Sequence, residues 1–214
     1  MHPILAERTK PFPRTNRLQG DIRSFLSSNG CGKTAEHCMD VGTEARRIAL
    51  RFGADPEAAE TAGWLHDISA VIPNGERIAV SRELGIEVLP EEEAFPMIIH
   101  QKLSVVMAEQ LFGVTDAEIL DAVGCHTTLR AGSTLLDQVL FVADKVAWDQ
   151  PGTPPYIRKL QEQLNRSLIH GAFAYINYLW ERKHTLKVVH PWLKEAYEEL
   201  RHRVYERCDL TVDA

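Results

Sequence analysis

Apolar residues recur every three or four positions along nearly the whole chain, and alternating runs of Val, Ile and Thr are missing. A 3.6-residue repeat gathers such residues onto one stripe of a helix, so the pattern predicts an all-α fold built by packing stripes together. The first predicted helix covers Arg17 to Ser28 and closes at Asn29 and Gly30; the second runs from Thr34 to Phe52 and stops at Gly53. Asp55 and Pro56 open a third, to about Ala70, as an N-cap and first-turn pair. Asn74 caps a short helix ending at Gly85, Pro90 to Phe95 reads as an acidic loop, and Pro96 to Phe112 as a helix with Gly113 after it. Thr115 and Glu118 form an expected capping box for a helix ending near His126, and Ser133 opens another, to about Asp149. Gly152 to Pro155 break the chain and restart it as a long helix to about Lys183, and His190-Pro191 precede a last one, to about Arg207. Residues 1–16, with three prolines among charges, are expected to be poorly structured. Residues 17–214 are expected to form one helical domain, with its core at 34–150 and C-terminal helices over 153–207.

Charge and cysteine usage narrow the function classes. The 214 residues carry a formal net charge of -6, which argues against a nucleic-acid partner, since gripping phosphates along a duplex needs clustered Lys and Arg. A small phosphorylated ligand needs only a few local cations and is not excluded. Cys31, Cys38, Cys125 and Cys208 show no CxxC spacing, which argues against a thiolate zinc site and a disulfide framework. No apolar run is long enough to span a membrane, and Met1 to Thr15 lacks the apolar stretch of a signal peptide. A reduced, cytoplasmic setting without a membrane partner is the expectation; whether the chain forms a homodimer is open.

Four of the nine histidines stand on apolar stripes. His37 leads the row Val41, Ala45 and Ile48, and His66 continues Ala59 and Ala62. His100 leads to Leu103 and Met107, and His126 continues Ile119, Ala122 and Val123. Asp144 sits beside Leu140 and Ala143 in an apolar stretch. Burying an ionisable group is costly unless something pairs with it or ligates it. One such histidine is ordinarily a hydrogen-bonded core residue. Five groups on five stripes are more simply explained by convergence on a cation, and an oxygen-and-nitrogen set without sulfur suits iron, manganese, cobalt or nickel better than a closed structural zinc.

His37, the pair His66-Asp67 in Gly63-Trp64-Leu65-His66-Asp67-Ile68, and Asp144 in Phe141-Val142-Ala143-Asp144-Lys145 resemble, in order and spacing, the H…HD…D pattern of HD-domain phosphohydrolases. His100 in Ile99-His100-Gln101-Lys102, and His126-Thr127-Thr128 followed by Gly132 to Asp137, resemble the bacterial HD hydrolases that split diadenosine tetraphosphate symmetrically into two ADP. The resemblance implies an HD-type helical bundle with added N- and C-terminal helices. It also implies a single iron held by His37, His66, Asp67 and Asp144, with His100 and His126 facing the substrate phosphates. The family commonly has basic residues soon after the first and last ligands; here those stretches read Cys38-Met39-Asp40 and Trp148-Asp149-Gln150.

The expected chemistry is attack by a metal-bound hydroxide in line at phosphorus, with Asp67 accepting the water's proton and His100 and His126 stabilising phosphate or leaving group. A second metal held by those two imidazoles is the competing assignment. Arg130, Lys102 and Lys145 are candidate phosphate contacts. Lys187 and His190 are equally well surface residues, and Glu91-Glu92-Glu93 reads as a solvated loop. Gly30 to Thr34 has the tail of a P-loop but lacks its first glycine, since position 27 is Ser27. Three rival readings stand beside the tetraphosphatase: a phosphatase acting on nucleoside monophosphates or another small phosphoester, a nucleotide-binding regulatory module without turnover, and an interaction scaffold that holds no metal.

Overall fold

The computed structural model describes residues 1–15 and 17–209, with side chains as far as Tyr205. Cys208 therefore lies outside the described side chains, while Cys31, Cys38 and Cys125 are free thiols. The described residues form twelve α-helices and no strand. They are α1 Pro3–Arg8, α2 Leu18–Ser28, α3 Gly32–Phe52 and α4 Pro56–Leu65. After a 3-10 turn at Ile68–Val71 come α5 Arg77–Glu83, α6 Pro90–Ala94, α7 His100–Phe112, α8 Ala117–Cys125 and α9 Leu135–Val146. α10 Ile157–Leu164, α11 Leu168–Glu181, a 3-10 turn at Lys183–Thr185 and α12 Pro191–Asp209 follow. No described helix is long and apolar enough to cross a membrane.

Local chemistry explains most boundaries. Asp55 accepts from the backbone N–H groups of Glu57 and Ala58, and Pro56 occupies the first turn, where its missing donor costs nothing. Gly53 and Gly113 stop α3 and α7 in the left-handed conformation. Besides three shifted starts (α5 opens at Arg77 without a cap from Asn74, α7 at His100 rather than Pro96, and Thr134 rather than Ser133 caps α9), five expectations need correction. The N-terminal segment is helical at α1, because Ile4 and Leu5 are buried and Phe12 packs against Phe25 and Phe112 at ring distances of 5.2 and 5.5 Å. Asp116 rather than Thr115 caps α8. The third helix ends at Leu65, so His66 and Asp67 sit in the break before the 3-10 turn. The long helix after Pro155 is two: Ser167, in extended backbone, accepts from His170 N–H and restarts the chain as α11.

The fifth correction is chemically richer. Pro90 to Ala94 is a helix, because Pro90 takes its first turn and the Glu92 carboxylate accepts from Leu89 N–H at 2.9 Å. That carboxylate is fully buried, 2.9 Å from Lys102 Nζ and 3.4 Å from His190 Nε2. An acidic run thus contributes one interior ion cluster joining α6, α7 and the start of α12.

α3 runs through the middle of the molecule, packed on α2, α4 and α9, while α8 packs on α4, α7 and α9 and α11 joins the C-terminal helices to α9. Two glycines set the closest approach. A Cβ on Gly63 would lie 2.5 Å from Gly42 Cα, and one on Gly42 would lie 2.5 Å from Trp64 Cδ1. Backbone touches backbone there, five residues after His37 and three before His66. The crossing therefore brings those two imidazoles to a ring distance of 5.2 Å. Gly63→Ala should wedge α3 from α4 and lower unfolding free energy by about 2–3 kcal/mol in urea titrations, as overpacking does. An unchanged midpoint would refute the close crossing.

Candidate metal centre

Six side chains converge where α3, α4, α7, α8 and α9 meet. His37 comes from α3 and Asp144 from α9; His66 and Asp67 follow α4; His100 opens α7 and His126 follows α8. Neighbouring rings lie 4.8–5.2 Å apart along the series His37, His66, His126, His100. His37 Nε2 is 3.2 Å from Asp144 Oδ1, and His100 Nε2 is 3.0 Å from Asp67 Oδ1. His66 Nε2 stands 3.7 Å from both Asp67 Oδ2 and Asp144 Oδ1.

One device orients three of the rings. His66 Nδ1 meets Gly63 O at 2.7 Å, His126 Nδ1 meets Val123 O at 2.8 Å, and His100 Nδ1 meets Met97 O. In each case the partner is the carbonyl three residues earlier. A carbonyl only accepts, so each Nδ1 carries a hydrogen, each Nε2 is turned inward, and a ring that is neutral presents a lone pair there. His66 Nε2 is buried without a hydrogen-bond partner. His100 Nε2 and His126 Nε2 are 2.9 Å apart, with Thr127 Oγ1 3.2 Å from each. Inward-turned Nε2 atoms converging beside two carboxylates fit a divalent cation. Ligand atoms within 4.8 Å of one another form three trios: His37, His66 and Asp67; His66, His126 and Asp144; Asp67, His100 and His126. The first and last share only Asp67.

The electrostatics agree. Burial raises the carboxyl pKa of Asp67, but His66, His100 and His126 outweigh it and hold the group well below the usual range. For Asp144 burial is likewise outweighed, by Lys145 and the His37 hydrogen bond. His126, pushed down mainly by burial, titrates at about 4, so its ring is neutral at pH 7 and can offer a lone pair. Asp67 is the most open of the set, its side chain 27% exposed against 16% for Asp144 and 1% for His66.

The remaining candidates divide. Lys145 reaches the centre through Asp144: its ammonium contacts Asp144 Oδ2, donates to His126 O at 3.3 Å and lies over the Phe141 and Tyr175 rings. Arg130 and Lys102 are not brought to the centre. Arg130 Nη2 is 3.0 Å from both Asp121 Oδ2 and Asp137 Oδ2, Lys102 is held by Glu92, and both line a surface groove that none of the six residues touches. Position after a histidine does not show where a side chain turns when carboxylates lie closer. Several supporting groups have only weak sequence signals. Gln101, fully buried, accepts from Thr127 N–H at 3.1 Å and donates to Thr128 Oγ1 at 3.2 Å, stapling the two segments that carry His100 and His126. Ser69 Oγ donates to His100 O at 2.8 Å. Leu129, fully buried, sits at φ 57°, a left-handed conformation held by its core packing at the end of the His126 turn.

If the two outer trios each hold an ion through Asp67, Asp67→Ala should lose all bound metal and His126→Ala about one ion per chain, by elemental analysis of protein purified without chelator. Wild-type metal content in His126→Ala, with turnover reduced by roughly 10²–10⁴, would instead assign that ring to phosphate.

The HD-domain family model matches residues 34–149. A Lactococcus lactis subsp. cremoris protein, described as an uncharacterized protein in the pepC 5' region, is 43% identical over 146 residues, 68% of this chain and 74% of the relative. The symmetrical bis(5'-nucleosyl)-tetraphosphatase of Bacillus subtilis is 35% identical over 140 residues, 63% of this chain and 73% of the relative. A crystal structure of a predicted HD superfamily hydrolase involved in NAD metabolism, from Clostridium acetobutylicum, superposes with TM-score 0.78 at 21% identity over 90% of this chain and all of that one, which shows the shared fold. The chain belongs to the HD-domain family and is a hydrolase.

Proposed function

We propose that this hydrolase cleaves a dinucleoside tetraphosphate symmetrically, diadenosine tetraphosphate giving two ADP. What supports the reading, beside kinship with the Bacillus subtilis tetraphosphatase, is a cation-binding centre reached by two separate clefts. One, of about 190 Å³, is lined by Phe95, Met97, Thr127, Tyr175, Lys187 and His190 and meets the centre at Thr127, whose hydroxyl touches both His100 and His126. The other, of about 630 Å³, is lined by Lys33, Glu36, His37, Asp40, Trp148 and Asp149 and meets it at His37. A substrate of two halves joined at the reacting phosphates needs such a pair of spaces.

A divalent cation held by these groups supplies Lewis acidity and brings the ionisation of water toward neutral pH. The chain's own groups do the rest. Asp67, whose Oδ1 faces His100 and whose side chain is the most open of the site, is placed to take the attacking water's proton. The tethered Nδ1–H groups keep the rings from rotating. His126, neutral at pH 7, acts through its lone pair rather than as an acid. Lys145 holds Asp144 in place through its buried charge.

One observation favours a second reading. The His37 cleft carries Glu36, Asp40 and Asp149 against Lys33 alone, which repels a phosphate-rich arm and suits the uncharged nucleoside of a monophosphate. Comparing kcat/KM for diadenosine tetraphosphate and AMP, with products separated by chromatography, decides between them. The tetraphosphate should win by at least about tenfold, roughly 1.4 kcal/mol, with ADP as sole product. Preference for AMP with release of inorganic phosphate would establish the monophosphatase.

A further inference from the structure

Among the described residues three arginines are half-buried, Arg46, Arg77 and Arg130, and two have carboxylate partners. Arg46 pairs with Glu60, and Arg130 with Asp121 and Asp137. Arg77, the first residue of α5, pairs with none among the described residues. Its Nε donates to Ile72 O at 3.1 Å and its Nη1 to Met97 O at 3.4 Å. Neutral carbonyls orient a guanidinium but do not cancel its charge, so Arg77 keeps a full positive charge in a partly desolvated place.

That place is next to the centre. Met97 O also receives His100 Nδ1, and the same ring reaches Asp67 with its Nε2, 3.0 Å from Oδ1. Arg77 thus shares the Met97 carbonyl with the ring that contacts the most open carboxylate of the site. Burial lowers its pKa, while attraction to Asp67 and Cys31 works the other way. Nη2 has no acceptor among the described residues and is not one of the buried unpartnered atoms, so it opens onto solvent-accessible space. The other cations near the site are spent or solvated: Lys145 on Asp144, Lys102 on Glu92, with Lys33 and Lys187 on the surface.

We propose that Arg77 is a substrate-binding residue that takes a phosphate oxygen of the substrate with its free Nη2 edge. The assignment rests on the reading of the centre as a phosphohydrolase site, but not on which phosphorylated nucleotide it cleaves. It explains how an acidic chain, with Arg130 and Lys102 turned away, still offers the site a fork-shaped cation.

Calorimetric titration with inorganic pyrophosphate, ADP and adenosine separates the outcomes. Arg77→Gln should weaken pyrophosphate and ADP by about tenfold while adenosine affinity, metal content and Tm stay at wild-type values, and Arg77→Lys should recover part of the loss. Equal weakening of all three ligands, or none, would overturn the assignment. A wild-type experiment stands beside it in case Arg77→Gln does not fold. Pyrophosphate should protect Arg77 from phenylglyoxal, read by peptide mass mapping, while exposed Arg82 reacts equally with and without it. An Arg77 that reacts at the same rate in both, or not at all in the free protein, would count against an open Nη2. Substrate assays fail independently: a chain that hydrolyses neither tetraphosphate nor AMP could still bind pyrophosphate through Arg77.

Discussion

Three backbone carbonyls fix where the imidazoles of the site point: each takes the Nδ1 hydrogen of one ring and turns that ring's Nε2 toward two buried carboxylates. Tied through Nδ1–H to Gly63, Met97 and Val123, a neutral ring at His66, His100 or His126 has no hydrogen on Nε2 and meets the carboxylates either across a cation or by taking up a second proton. The residual need is for positive charge, and it falls beside two carboxylates held ionised by their surroundings. A cation site is thereby built from helix ends, before any ion arrives.

The helices serve that arrangement. His66 and His126 each follow the last residue of a helix, where carbonyls have no intrahelical donor, so the ring satisfies an orphan acceptor while gaining its orientation. The contact of Gly42 with Gly63 removes the side-chain layer that would hold α3 and α4 apart, and so admits His37. Gln101 and Ser69 fix the backbone that carries His100. Charge is handled in the same economical way: Asp144 has Lys145, Glu92 has Lys102 and His190, and Asp137 has Arg130.

How much of this the sequence shows depends on how local the cause is. Helix type follows from periodicity, and five of the six converging residues are visible because ionisable groups on apolar stripes conflict with burial, while Asp67 enters through the resemblance of His66-Asp67 to the HD pair. The break after Leu65 is not visible, since the apolar pattern continues through Ile68. Nor is the split at Ser167, a cap inside an amphipathic run. Glu92 looked solvated because its partners, Lys102 and His190, are 10 and 98 residues away. Arg130 sits next to the right histidine but answers to Asp121 and Asp137. Arg77 lies in a polar stretch with no motif, and only the shared carbonyl of Met97 ties it to the centre.

The tautomers of His66, His100 and His126 are the most direct test, because everything at the site follows from where those hydrogens lie. Long-range nitrogen–proton correlation spectra of histidine-labelled, metal-free protein at pH 7 should show the Nδ1–H form at all three, with His126 neutral. Titration with a diamagnetic divalent ion such as zinc should shift the Nε2 resonances and leave the Nδ1–H signals in place. An Nε2–H tautomer at His66 or His126, or Nε2 resonances indifferent to the ion, would contradict the account.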